Sequence, residues 1–234
     1  MKILSFDVGI KNLAYCLIEF NSKDDKKHSI LDWSVIDCSQ DQLKCCVNRR
    51  GKICEKDAVS YITSDEKKLG FCKLITCQKE LNSTYSKSDI KKYKKPVQNI
   101  EYIGTILYSK LDKLSNILEA DIIIIENQPV LKNPTMKSIQ MLIYSFFLYK
   151  KTLKCFNYEI KLFNAGKKLK IYDGPSVDSS HLKGKYNKRK YESTKCTEYY
   201  LKLYNESYCK FFFDSKKRDD LSDSYMQGLT FYYK

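Results

Sequence analysis

The chain has 234 residues, with 42 Lys and Arg against 28 Asp and Glu, a formal net charge of +14 and a pI of about 9.2. That length accommodates one large domain, or one domain carrying a smaller inserted module. No signal peptide is read at the N-terminus, because Asp7 and Lys11 interrupt its apolar run and no small-residue cleavage site follows; the longest apolar runs are too short to span a bilayer.

The basic excess, with 19 Tyr and 11 Phe, points to a nucleic-acid partner held by phosphate attraction and stacking. Lys- and Tyr-rich usage also follows from an AT-rich coding genome, so charge alone decides little. An intracellular, soluble protein is expected. Its ten cysteines should then be mostly reduced, and clustered ones read as metal ligands rather than as a disulfide framework.

In chain order, "KILSFDVG" alternates and ends at Gly9, "IKN" turns, and "LAYCLIEF" resumes the two-residue period, which predicts a hairpin. "ILDWSVIDC" (30–38) predicts a third antiparallel strand. From Gln40 to Pro96 cysteines and charge rise, and a Lys-rich linker closes the segment, so 40–96 is read as an insertion into a domain formed by 1–39 and 97–234. Residues 97–120 place Ile100, Ile103, Ile106, Leu107, Leu111, Leu114 and Leu118 at helical spacing. "DIIIIENQP" suits a strand buried on both faces, stopped by Pro129.

"NPTMKSIQMLIYSFFLYKK" predicts a helix capped by Asn133 or Thr135, and 154–165 a strand. Residues 166–190 read as a Lys-rich loop, and 188–204 as a helix. The last helix, 219–231, sets Leu221, Tyr225, Leu229 and Tyr232 on one stripe with Gly228 beside it. Three strands, an insertion, then helix, strand, helix, strand, helix, helix is an order compatible with a ribonuclease H-like α/β fold, a mixed sheet flanked by helices.

Within that order four acids stand out. Asp7 ends the first strand and Glu126 the Ile-rich one, so the two share a rim if those strands are neighbours. Asp220 and Asp223, three apart on the last helix, lie within about 60° of each other on the face away from the Leu221 stripe. Singly, each has another reading: Asp7 as a turn residue, Glu126 as a lysine's partner, Asp219 or Asp220 as a helix cap. Together, hard oxygen ligands suit Mg²⁺ or Mn²⁺. Two ions about 3.5 to 4 Å apart would activate a water and stabilise the leaving oxygen of a phosphodiester.

"SFDVGIKNLAYCLIE", "IIIIENQP" and "KKRDDLSDSYMQG" resemble the three acidic motifs of the RuvC-type Holliday junction resolvases, most closely those of poxviruses and related large DNA viruses. The resemblance implies a ribonuclease H-like fold, a homodimer, Mg²⁺-dependent nicking of four-way DNA junctions, and catalytic roles for Asp7, Glu126, Asp220 and Asp223, with Asp219 a reserve ligand. It implies a cytoplasmic site of viral replication, the nucleus remaining open. Neither a membrane nor a nucleotide cofactor is expected.

The insertion offers Cys45 or Cys46 with Cys54, Cys72 and Cys77. Counted from Cys46 the spacing is x7, x17 and x4, and the set Cys46, Cys54, Cys72 and Cys77 would hold a structural Zn²⁺ in a segment too polar to build its own core. The compact poxvirus members lack such an insertion, so the resemblance says nothing of its role. Cys16, Cys155, Cys196 and Cys209 read as incidental thiols, and Cys38 as undecided.

Phosphate contacts are expected from Lys11, Lys167, Lys168, Lys188, Arg189, Lys217 and Arg218, with Lys216 beside them, and from the linker lysines Lys91, Lys92, Lys94 and Lys95. Tyr172, Tyr186 and Tyr191 are candidates for stacking on exposed bases. Neither His28 nor His181 sits in a catalytic pattern.

Three competing functions stay in view. One is a ribonuclease H-like nuclease acting on other branched or single-stranded DNA. Another is a non-catalytic zinc-containing DNA-binding protein. The last is an actin-like ATPase or sugar kinase suggested by "FDVGIKNLAY", which would need a second glycine-rich phosphate loop that eight glycines, none so arranged, do not provide.

Overall fold

A computed structural model describes the chain apart from residues 23–26, 39–41, 95–98, 132 and 155, and gives residues 154 and 165 without their side chains. In chain order come β1 (Lys2–Asp7), β2 (Asn12–Phe20), β3 (His28–Asp37), β4 (Asn48–Arg49), β5 (Lys52–Ile53), β6 (Ser60–Ser64), β7 (Lys67–Phe71), α1 (Ile75–Thr84) and β8 (Lys91–Lys92). There follow α2 (Ile100–Leu111), β9 (Ile122–Glu126), α3 (Pro134–Lys154), β10 (Glu159–Phe163), α4 (Lys185–Tyr204), α5 (Cys209–Asp214) and α6 (Arg218–Tyr233). Two compact units result, Met1–Ser39 with Asn99–Lys234, and Gln40–Gln98. The boundaries expected at 39/40 and 96/97, and with them Lys95 and Cys155, lie outside the described residues.

The larger unit is built on a five-stranded sheet in the order β10-β9-β1-β2-β3. β1 pairs antiparallel with β2 and parallel with β9, so the sheet is mixed as the sequence order suggested. The two-residue period of the strands sorts their side chains onto two cores. Leu4, Phe6, Leu13, Tyr15, Ile123 and Ile125 join the helix residues Ile103, Leu107, Leu111, Ile139, Ile143 and Phe147 on one face. Ile3, Cys16, Ile18 and Ile124 join Tyr200, Leu201, Leu221, Tyr225 and Leu229 on the other. Four consecutive isoleucines are thus explained, since β9 is covered on both sides. Each such side chain stabilises the fold by about 1.5–3 kcal/mol relative to exposure.

Four elements depart from the sequence reading. The helix expected over 97–120 ends at Leu111, and the backbone at Leu114 (φ −97°, ψ 80°) leaves helical space so that a separate 3₁₀ turn, Ser115–Glu119, can drop Ile117 into the core ahead of β9. The strand expected over 154–165 is shorter, Glu159–Phe163, and α3 takes Lys154 from its start. α4 begins at Lys185, three residues ahead of the helix expected from 188, so that Lys188, Arg189 and Lys190, where the loop and helix readings overlapped, are helix residues. α6 buries more than one stripe: Ser222, Ser224, Met226, Gln227 and Thr230 are covered as well, because the helix lies against both the sheet and α4.

The smaller unit holds a two-stranded hairpin, β4-β5, a three-stranded sheet ordered β7-β6-β8, and α1. Its core is slight: Cys45, Val47, Ile62, Phe71, Cys72, Cys77 and Leu81. No helix among the described residues is long and apolar enough to cross a membrane.

Candidate active site

Parallel pairing of β1 with β9, Phe6 opposite Ile125, carries the next residue of each strand, Asp7 and Glu126, to the same rim. The turn after β1 is tight: a Cβ on Gly9 would stand 2.0 Å from the Asn12 carbonyl oxygen, so glycine is required there. α6 is pinned beneath this rim by Gln227, whose amide donates to Ser5 Oγ (3.1 Å) and to the Phe6 carbonyl (3.0 Å). One and two turns towards the N-terminus of that helix, Asp223 and Asp220 reach the same cleft, which has a volume of about 500 Å³.

The centre of the cluster is a lysine. Lys168 Nζ lies 2.6 Å from Asp7 Oδ1, 3.2 Å from Glu126 Oε1 and 3.2 Å from Asp223 Oδ2, with only 4% of the residue exposed. Burial opposes its charge, but Asp7, Asp223 and Glu126 together hold its pKa above the usual lysine value. The residue follows the short 3₁₀ turn after β10, and Thr230 of α6 donates to its carbonyl oxygen (2.6 Å), fixing the backbone that aims it inward. Expected as a phosphate contact, Lys168 is instead enclosed by acids.

Its single positive charge does not balance the site. Burial lifts the Asp7 carboxyl to about 7, against the pull of Lys168 and with the help of Glu126. Burial, then Asp219 and Asp7, raise Asp220 to about 6, and Asp223 is raised as well, again chiefly by burial. Oxygens are the only donors the four acids offer, and their charge is under-compensated, so the set fits a hard divalent cation.

Neighbours orient the acids. Ser193 Oγ donates to Asp223 Oδ1 (2.7 Å), and Gln128 Nε2 to Glu126 Oε2 (2.8 Å). Gln140 Oε1, fully buried, accepts from the Gln128 backbone amide (2.8 Å) and from Lys137 Nζ (3.1 Å). Asp219, the reserve ligand, pairs with Lys190.

Of the other residues expected to contact phosphate, Lys11, Arg189 and Lys217 line the cleft, Lys217 standing 3.8 Å from Asp220. Arg218 lines a separate hollow with Lys190, Thr194 and Lys195. Lys188 is half-buried in the first turns of α4, and Lys167 is half-buried beside the C-terminal Lys234. Tyr186, 68% exposed, lines the cleft as a stacking residue should. Tyr172 does not: it packs edge-on against Tyr199 and Tyr200. His28 is buried against the Tyr225 hydroxyl, and His181 packs on Tyr191.

In the smaller unit the fourth sulfur is not the one expected. Cys45, Cys54, Cys72 and Cys77 come together, whereas Cys46 points outward and is exposed. Val47 explains the choice: Cys45 and Val47 both face the small core, which turns the residue between them away from it. Cys38 is fully buried in the larger core, as are Cys16 and Cys196 in theirs, and Cys209 is half-buried.

Comparison with known proteins places this geometry. The family model described as mitochondrial resolvase Ydc2 / RNA splicing MRS1 matches residues 3–130, more than half of the chain. An uncharacterized protein, L451, of Acanthamoeba polyphaga mimivirus is 29% identical, over 97% of this chain and 74% of its own. The yeast mitochondrial Holliday junction resolvase Ydc2 superposes with a TM-score of 0.53 at 15% identity, covering 97% of this chain and 77% of that one. Fowlpox virus resolvase, solved with its Holliday junction DNA substrate, gives 0.50 at 16% identity, covering 99% and 96%. The matched span runs from β1 past Glu126, so it includes two of the acids and the strands that carry them. The chain belongs to the mitochondrial resolvase Ydc2 / RNA splicing MRS1 family and has the fold of the RuvC-like resolvases.

Proposed function

We propose that the protein is a structure-selective endonuclease that resolves four-way DNA junctions by paired phosphodiester hydrolysis, with Asp7, Glu126, Asp220 and Asp223 as its catalytic acids. The observation that carries this reading is the convergence of these acids, from two strand ends and one helix, in a cleft whose rim is basic. The family description pairs junction resolution with RNA splicing. A complete set of acids around a buried lysine favours the nuclease, since a binding protein has no use for so costly a cluster.

Asp7, Glu126, Asp220 and Asp223 would hold Mg²⁺ or Mn²⁺, two ions in each site, which when bound supply Lewis acidity to the attacking water and the leaving oxygen. The remaining work falls to the chain's own groups. Lys168 offsets part of the charge of three carboxylates and keeps them gathered at 2.6–3.2 Å from its ammonium. Ser193 and Gln128 fix which oxygens of Asp223 and Glu126 face the cleft. Lys11, Arg189 and Lys217 attract the phosphate backbone, and Tyr186 offers a ring to an unstacked base at a junction centre. A homodimer suits a substrate with near two-fold symmetry, because two sites then face strands of like polarity. The mimivirus relative supports a viral setting, with cytoplasmic DNA replication as the context.

The test is cleavage of a labelled synthetic four-way junction against linear duplex, in Mg²⁺ and in EDTA, by the native chain and Asp223→Asn. Paired symmetric nicks that need Mg²⁺ and fall at least about 10³-fold in the variant, while junction binding persists, are expected. Tight binding with no cut by either protein would point instead to a structural DNA- or RNA-binding role.

A further inference from the structure

The smaller unit carries four thiols for which the nuclease reading has no use. Their sulfurs all lie within 4.8 Å of one another, with Cys54 Sγ 3.7 Å from Cys72 Sγ and 3.9 Å from Cys77 Sγ. Sulfurs in a disulfide stand about 2.05 Å apart. Sulfurs bonded at about 2.3 Å to one tetrahedral ion stand about 3.8 Å apart, close to the 3.7 and 3.9 Å that separate Cys54 from Cys72 and Cys77. Soft donors in that arrangement select zinc over the hard cations that suit the acidic cleft.

The ligands are also placed where ligation would matter. Cys45 and Cys54 flank the β4-β5 hairpin, whose base is closed by hydrogen bonds from Cys54 N to the Val47 carbonyl (2.9 Å) and from Glu55 N to the Cys45 carbonyl (3.1 Å). Cys72 follows β7, and Cys77 lies in the first turn of α1. One ion would thus tie hairpin, sheet and helix together. The unit would gain from such a tie: of the seven residues in its core cluster three are these cysteines, and below roughly 70–80 residues a single apolar core rarely supplies more than marginal stability.

What the tie would display is a basic tip. Arg50 and Gly51 both have positive φ (52° and 82°), the two-residue turn that a twisted hairpin prefers. Residues 48–53 are all exposed, so Arg49, Arg50 and Lys52 project from a finger fixed at its base by two of the thiols. Glu80 is the one acid along the hollow that Arg49, Arg50 and Lys52 line.

We infer that Cys45, Cys54, Cys72 and Cys77 bind one structural Zn²⁺, and that this ion holds the β4-β5 hairpin so that Arg49, Arg50 and Lys52 grip the phosphate backbone of a DNA arm. The four thiols release their protons to bulk water as the ion enters, with no change of oxidation state. The phosphate contact rests on the junction reading above; the metal site does not.

Metal content of the full chain, purified after growth with zinc, tests the first half. About one zinc per chain is expected in the native protein and in Cys46→Ser, and loss of it in Cys45→Ser. Because Cys45→Ser risks misfolding, Co²⁺ exchange into the native protein gives an independent readout, the intense visible bands of tetrahedral thiolate coordination. Zinc-free protein whose four thiols titrate freely would overturn the site, as would zinc lost equally from Cys46→Ser.

The second half is read on an Asp223→Asn background, which binds without cutting. Arg49→Ala/Arg50→Ala/Lys52→Ala should keep its zinc, bind four-way junction and duplex about 10-fold more weakly, and show a salt slope shallower by about 2 to 3. Unchanged affinity and slope would overturn the phosphate contact alone. A zinc-free chain that still cuts junctions would overturn the metal site while leaving the nuclease reading intact.

Discussion

The two units of this chain are held together by different means. The larger sandwiches a five-stranded sheet between two apolar layers, so that strands such as β9 are buried on both sides. The smaller has a core cluster of seven among its described residues, and three of them are cysteines whose sulfurs gather with a fourth. Apolar burial grows faster than surface as a domain enlarges, so the larger unit can tolerate a buried charged cluster in its sheet rim, whereas the smaller, on the zinc proposal, would draw on its thiols. The contrast predicts that changes to charge or packing in the larger unit will leave the thiol-bound unit unmoved.

The largest such effect is expected at Lys168. Its ammonium is the counter-charge for Asp7, Glu126 and Asp223, and removing one partner of a buried ionic cluster costs about 3–5 kcal/mol. Lys168→Ala should therefore lower the urea midpoint of the larger unit sharply at pH 8 in EDTA. Recovery is expected at pH 5, where the acids take up protons instead. Limited proteolysis should show Gln40–Gln98 cut no faster than before. An unchanged midpoint would mean that the acids do not depend on the lysine for their charge balance.

How much of this was legible in the sequence differs between the same two units. Asp7 and Glu126 were visible because each ends an apolar strand, and the run of isoleucines announced a strand covered on both faces. Lys168 was not, because one lysine in a Lys-rich stretch has no local mark; its inward aim comes from Thr230 of α6, distant in sequence. The one hint was the apolar Leu169 and Ile171 beside it, which pack on the core and draw that stretch towards the sheet. Tyr172 looked like a stacking ring for the same reason of context, and its ring contacts lie with α4 instead. Between Cys45 and Cys46 the alternation with Val47 was the deciding signal, a two-residue period that spacing rules for metal ligands ignore.

A smaller effect is expected where α6 meets β2. A Cβ on Gly228 would stand 2.7 Å from Ile18 Cδ1 and 3.5 Å from Ser5 Cβ. Overpacking of that kind costs about 1–3 kcal/mol, offset by the roughly 1 kcal/mol that alanine gains over glycine inside a helix. Gly228→Ala alone should destabilise by about 1 kcal/mol. In an Ile18→Val background, which lacks the clashing methyl, the same change should be neutral or stabilising. Equal costs in both backgrounds would place the clash elsewhere than at Ile18.

A last effect concerns pH, and its sign separates the acids from ordinary surface carboxylates. The folded value of Asp7 is about 7 and that of Asp220 about 6, against a usual 3.8, so in the metal-free protein the folded state keeps protons that the unfolded chain has already released. Stability from these groups is then fully present below about pH 4 and is lost as pH rises through 6 to 7. Most proteins gain from ionised carboxylates across this window; here the buried acids repel one another, and the fold weakens as they charge. Asp7→Asn removes the group with the higher value, so in EDTA its melting temperature should exceed that of the native chain by a few degrees at pH 8 and match it near pH 4. Mg²⁺ should raise the native melting temperature at pH 8 more than at pH 5, because protons compete for the same oxygens, and should do less for Asp7→Asn at either pH. A native melting temperature that stays level from pH 5 to 8 in EDTA, or an Asp7→Asn protein less stable at pH 8, would show that Lys168 already balances the site without a metal.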